Sequence, residues 1–84
     1  IPQRIQLVQA EAGVLRDTGA YQDAYDLLNQ ASEKYPNTPE LLYDLAMMAE
    51  KVNRLDVLET NLRRLIELRP DHAHAYNALG YTLA

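Results

Sequence analysis

The side chains in this sequence that could do chemistry are its carboxylates, six tyrosines and two histidines; cysteine and tryptophan are absent. Without cysteine there is no disulfide, thiolate zinc site or cysteine nucleophile, and the redox compartment stays open. His72 and His74 stand two residues apart at a helix start, so they point in different directions. No acidic or cysteine partner stands at metal-ligand spacing from them. Catalysis would need a nucleophile with its base, a metal cluster or a glycine-rich phosphate cradle, and the spacing supplies none. Asp17, Asp23, Asp26, Asp44, Glu50 and Glu59 are scattered over polar faces, where solvated surface charge is the ordinary role. The three glycines are dispersed among turn and packing positions. The chain is therefore expected to have no catalytic residue, no cofactor and no metal, and not to be an enzyme.

The net charge of −4 disfavours nucleic acid and anionic membranes, which both require a basic patch. No apolar run is long enough to insert in a bilayer. At 84 residues the chain has room for one domain, and a chain this small buries only about 60% of its unfolded surface. Its 48% apolar and 24% charged residues are the composition of a folded domain.

The elements that must position these residues are helices. Ile5, Val8, Ala12 and Leu15, with Leu7 and Val14 beside them, have helical spacing over Gln3 to about Asp17, and Thr18-Gly19 supplies a stop. A second helix is expected from Tyr21 to Tyr35, with Ala24, Leu27, Leu28 and Ala31 inward and Pro36 ending it. Thr38-Pro39-Glu40 reads as an N-cap, a first-turn proline and an acidic residue suited to the helix dipole. The third helix then extends to about Val52 through Leu42, Leu45, Ala46 and Ala49. Asn53-Arg54 makes a turn, the fourth helix runs from Leu55 to Leu68, and Pro70-Asp71 opens a fifth from His72 to the end. No stretch alternates as a strand, so the fold class is all-α.

Pro36 and Pro70 lie 34 residues apart, and aligning the chain with itself at that offset matches packing positions. Val8, Leu42 and Tyr76 form one row; Glu11, Leu45 and Leu79 a second; Ala12, Ala46 and Gly80 a third; Leu15, Ala49 and Leu83 a fourth. Ala24 matches Leu58, Leu28 matches Leu62, and Ala31 matches Leu65. The period, together with Tyr76, Leu79, Gly80 and Leu83 in one helix and Ala24, Leu28, Ala31 and Pro36 in another, resembles the tetratricopeptide repeat (TPR) over nearly the whole chain. The resemblance implies a right-handed α-α superhelix of five helices. It divides into about two and a half repeats: residues 5–38, 39–72, and the first helix of a truncated third at 73–84. The style is similar to that of bacterial solenoid proteins. Because the chain starts at Ile1 and stops at Ala84 inside a helical pattern, it reads as a fragment of a longer protein.

Departures from the repeat pattern concern packing. Glu11 takes a leucine position, so that edge is expected to face solvent or a missing upstream partner. Leu58 and Leu65 stand where alanine is usual, and Ala49, small where a bulky residue is usual, is expected to make room for them. Tyr21, Tyr25 and Tyr35 are expected to be partly buried between helices. The fifth helix lacks cover on one flank, from which self-association through the C-terminal end is expected.

In the family a concave surface lined by the first helix of each repeat holds peptides. The corresponding stripe here is Gln6, Gln9, Gly13 and Arg16, then Glu40, Tyr43, Asp44, Met47 and Glu50, then His74, Asn77 and Tyr81. Tyr43, Met47 and Tyr81 offer apolar and aromatic contact; Gln6, Gln9 and Asn77 can bond an extended backbone; Glu40, Asp44 and Glu50 add negative charge. The expected ligand is an extended or helical peptide with apolar anchors and a basic residue. The bland alternative is that these are ordinary exposed side chains. One subset of the family clamps the C-terminal carboxylate of heat-shock chaperones with Lys, Arg and Asn; the matching Gln9, Gly13, Asp44, His74 and Ala78 offer none of these, and Asp44 would repel a carboxylate. The expected function is a non-catalytic protein-interaction module. The competing readings are a structural or oligomerisation segment and an accessory region of a larger enzyme. Compartment and partner identity are not encoded in these residues.

Overall fold

The computed structural model describes residues 3–71 and Asn77. They hold four helices, α1 (Gln3–Asp17), α2 (Tyr21–Lys34), α3 (Pro39–Lys51) and α4 (Leu55–Leu68), with no strand among the described residues. The expected second and third helices each end one residue early, Tyr35 and Val52 standing at the C-caps. The fifth helix lies outside the described residues, except that Asn77 is helical and exposed.

The 34-residue repeat is present in the backbone as well as in the side chains. After α1, Gly19 adopts φ +84°, the Gly19 N–H donates to Arg16 O at 3.0 Å and the Ala20 N–H to Leu15 O at 2.8 Å. After α3, Asn53 adopts φ 61°, its N–H donates to Glu50 O at 3.1 Å and the Arg54 N–H to Ala49 O at 2.7 Å. Both are left-handed caps of the kind that satisfy the last carbonyls of a helix. The ends of α2 and α4 repeat too: the Tyr35 N–H reaches Ala31 O at 2.8 Å, and the Arg69 N–H reaches Leu65 O at 2.7 Å. Thr38 occupies the N-cap position of α3 as expected, but its hydroxyl does not cap that helix. It donates backward to Tyr35 O at 2.9 Å, because the end of α2 leaves that carbonyl without a helical partner.

Sequential helices pack against each other, and α1 also touches α3. Lys51 in the last turn of α3 sits 5.9 Å from the ring centroid of Tyr21 in the first turn of α2, so these two helices run antiparallel. Tyr21 is 38% exposed, more than its expected place between helices, whereas Tyr25 is buried and Tyr35 partly so. The core is centred on α3, which buries Leu41, Leu42, Leu45, Ala46, Met48 and Ala49. Burial on two sides follows from its position, between α2 and α4 and beside α1. Leu58, Leu62 and Leu65 of α4, Ala24, Tyr25, Leu28 and Ala31 of α2, and Ile5 and Ala12 of α1 complete it. Leu58 and Leu65 are accommodated with almost no exposure, and Ala49 in the same repeat is fully buried.

One face of α1 is exposed where the equivalent face of α3 is buried. Leu7 is 60% and Val14 62% exposed, while Leu41 and Met48, their partners at the 34-residue offset, are 0% and 4% exposed. Glu11, between them, is exposed where Leu45 is buried. The helix α2 packs on α3, and α1 carries no equivalent neighbour among the described residues.

Candidate functional site

A concavity of about 330 Å³ between α1 and α2 is lined by Leu7, Val8, Leu27, Ala31 and Tyr35, and the contact of α1 with α3 creates another, where the expected stripe lies. It encloses about 270 Å³, with Gln9, Gly13 and Arg16 on the α1 side and Tyr43, Asp44 and Met47 on the α3 side. Ala12, Met48 and Leu28, the last from α2, close its floor. An adjoining concavity of about 240 Å³ shares Gln9, Tyr43 and Asp44 and continues past Pro39 and Glu40 to Arg69. Helical geometry explains the lining. Gln9, Gly13 and Arg16 are spaced four and three apart on α1, Glu40, Tyr43 and Met47 three and four apart on α3, and such residues share a helix face.

Gly13 matters to the shape. A Cβ added there would meet only the Arg16 guanidinium within 4 Å, at 3.8 Å, so the glycine leaves the α1 wall open to the cavity. The cost is the backbone freedom of a glycine inside a helix, about 0.5–1 kcal/mol relative to alanine.

A polar contact ties the walls together. Gln9 Nε2 donates to Asp44 Oδ2 at 3.0 Å, joining residues 35 apart in the chain. Asp44 is half-buried, and loss of hydration raises its carboxyl above the ordinary aspartate value of 3.8; the Gln9 hydrogen bond and the charge of Arg16 oppose this, and Glu40 adds to it. Arg16 itself pairs with exposed Asp17 at 3.3 Å. Every buried side-chain polar atom among the described residues has a partner.

The expected stripe is thus brought together in part. Gln9, Arg16, Tyr43, Asp44 and Met47 line the concavity between α1 and α3, and Glu40 lines its extension. Gln6 and Glu50 are exposed and line neither. Asn77 is exposed, and His74 and Tyr81 lie outside the described residues. Gln9, expected to bond a ligand backbone, already commits an amide proton to Asp44. Met48 and Leu28 in the floor and Arg69 at the far end were not among the expected lining residues. The doublet Met47-Met48 was the available signal, since two adjacent apolar residues on a helix widen its apolar face to both neighbours.

Among the described residues no group of three or more His, Cys, Asp or Glu side chains is placed to hold a metal ion, and no helix is long and apolar enough to cross a membrane. The arrangement can therefore offer shape, apolar contact and one half-buried carboxylate. No family model matches the chain. Over 80 residues, 95% of its length, it is 42% identical to a TPR repeat-containing protein of Pseudomonas aeruginosa, and it spans 14% of that protein. The match bears out the tetratricopeptide resemblance.

Proposed function

We propose that this chain, whose repeats are of the tetratricopeptide kind, is a non-catalytic protein-interaction module that holds a peptide or partner helix along the groove between α1 and α3. The observation that carries the reading is the pair of adjoining concavities lined by Gln9, Tyr43 and Asp44, set by a 34-residue register that also lines up Asn77. A relative described by its TPR repeats supports an interaction role in general. The partner is a protein or peptide, because the net charge of −4 gives a nucleic acid no basic surface.

The same reading takes residues 5–38 and 39–72 as two repeats and 73–84 as the start of a third, stacked in a right-handed superhelix. The exposed Leu7 and Val14 support it: in that stack a preceding helix covers them, and their counterparts Leu41 and Met48, on a helix that α2 packs against, are buried. They also favour the second reading, a structural or oligomerisation segment, in which such faces pack on neighbouring repeats or on another copy through the ends of the stack. A place within a larger protein, an enzyme included, fits a chain that spans 14% of its relative.

Capture of partners by the full-length protein separates these readings. Replacing Tyr43 and Tyr81 together by alanine should leave the helical circular dichroism intact and abolish capture of the proteins that the unaltered form retains. Unchanged capture by the folded double variant removes the groove from the account.

A further inference from the structure

Resting on the groove reading, we infer that Asp44 is the acceptor for a basic side chain of the bound peptide, so that the groove selects a segment carrying arginine or lysine beside apolar residues. Asp44 stands where the two concavities meet and lines both. Its Oδ2 takes the Gln9 amide at 3.0 Å, a neutral donor, and none of the ion pairs within 4 Å among the described residues includes it. The nearby cations share these concavities without pairing with Asp44: Arg16 directs Nε to Asp17 and acts on Asp44 by its charge alone, and Arg69 lines the extension.

A half-buried carboxylate thus faces the groove bonded to a neutral amide, with the charge of Arg16 acting on it but in no ion pair with it. A ligand ammonium or guanidinium supplies a direct ion pair and further hydrogen-bond donors, and charge-assisted bonds are the stronger kind. The surroundings suit the rest of such a side chain: Met47, Met48 and Tyr43 line the same concavity and offer apolar surface for the aliphatic stem. Glu40, one turn earlier on α3, adds negative potential on the same side, so an acidic ligand residue meets like charge there. The role of Gln9 is to fix the carboxylate against the α1 wall.

The experiment selects peptides from a random library on the folded chain and retains those whose binding is weakened by Met47→Ala, which marks the groove. These peptides should share a basic position. Asp44→Asn, which keeps the side-chain shape and the bond from Gln9, should weaken them by about tenfold or more. Replacing the peptide arginine with neutral citrulline should cost as much, and combining both changes should cost little further. Groove peptides without a basic position, or additive losses from the two changes, overturn the inference while leaving the groove reading intact. Peptides that bind but ignore both Met47→Ala and Asp44→Asn overturn the groove reading and this inference with it.

Discussion

Gly19 and Asn53, 34 residues apart, occupy the same left-handed position after α1 and α3 and close those helices with the same pair of backbone hydrogen bonds. Only the side chain differs. At Gly19 a Cβ would touch nothing within 4 Å, so a substitution there meets a purely conformational cost. Gly19→Ala should therefore destabilise the chain by about 1–2 kcal/mol, while Asn53→Gly should be neutral or stabilising, since asparagine tolerates this region less readily than glycine. Chemical denaturation midpoints of the two variants check the pair. Equal effects of one sign would mean that the two caps are not equivalent.

Ala49 is fully buried in the repeat that also buries Leu58 and Leu65 in place of alanines. Ala49→Leu adds volume to a filled site and should lower stability by about 1–3 kcal/mol. A thermal midpoint unchanged by the substitution rules out the idea that Ala49 makes room for those leucines.

The charge of Asp44 opposes folding. Burial raises its carboxyl above 3.8, so the folded chain holds that proton more tightly than the unfolded chain. Stability from this group is accordingly present at low pH and is lost as pH rises from the unfolded value through the raised folded one. The groups that bear on it are Gln9 and Arg16 of α1 and Glu40 of α3. Asp44→Asn should raise the thermal midpoint at neutral pH, and the gain should shrink to nothing as the pH falls below 3.8. A gain that is independent of pH would place its origin elsewhere.

On the proposed groove reading, Gly13 couples stability to peptide binding. Gly13→Ala should stabilise α1 by about 0.5–1 kcal/mol, because the new methyl group meets only the end of a flexible arginine at 3.8 Å. The same methyl group projects from the cavity wall, so affinity for groove peptides should fall severalfold. Paired denaturation and fluorescence anisotropy measurements test this, and a stabilised variant with unchanged affinity would show that the ligand does not approach α1.

The legible part of this fold was the local part. Gly19, Pro36, Pro39 and Asn53 mark the turns by their own backbone preferences, and the helix limits follow from them almost residue by residue. The interior of α3 is wider than its apolar row predicts: Leu41 and Met48 are buried although they fall outside the row that a single helix face presents, because α3 has neighbours in α2, α4 and α1. Thr38 has the residue type of a cap, but its hydroxyl has two carbonyl-rich or amide-rich ends within reach and takes the Tyr35 carbonyl. The contact of Gln9 with Asp44 was illegible for another reason. It joins neighbouring rows of the repeat, 35 apart, and the 34-residue offset aligns only equivalent positions. The register places the groove in the sequence; how its walls bond to each other is decided by side-chain packing between α1 and α3.

Amide shift mapping by NMR, with the isotope-labelled chain titrated by library-selected peptides, tests the groove most directly. The account predicts the largest changes at Gln9, Gly13, Tyr43, Asp44 and Met47, with little change at Leu7 and Val14 on the outer face of α1. Changes concentrated at Leu7 and Val14, with Tyr43 and Asp44 unmoved, would contradict it.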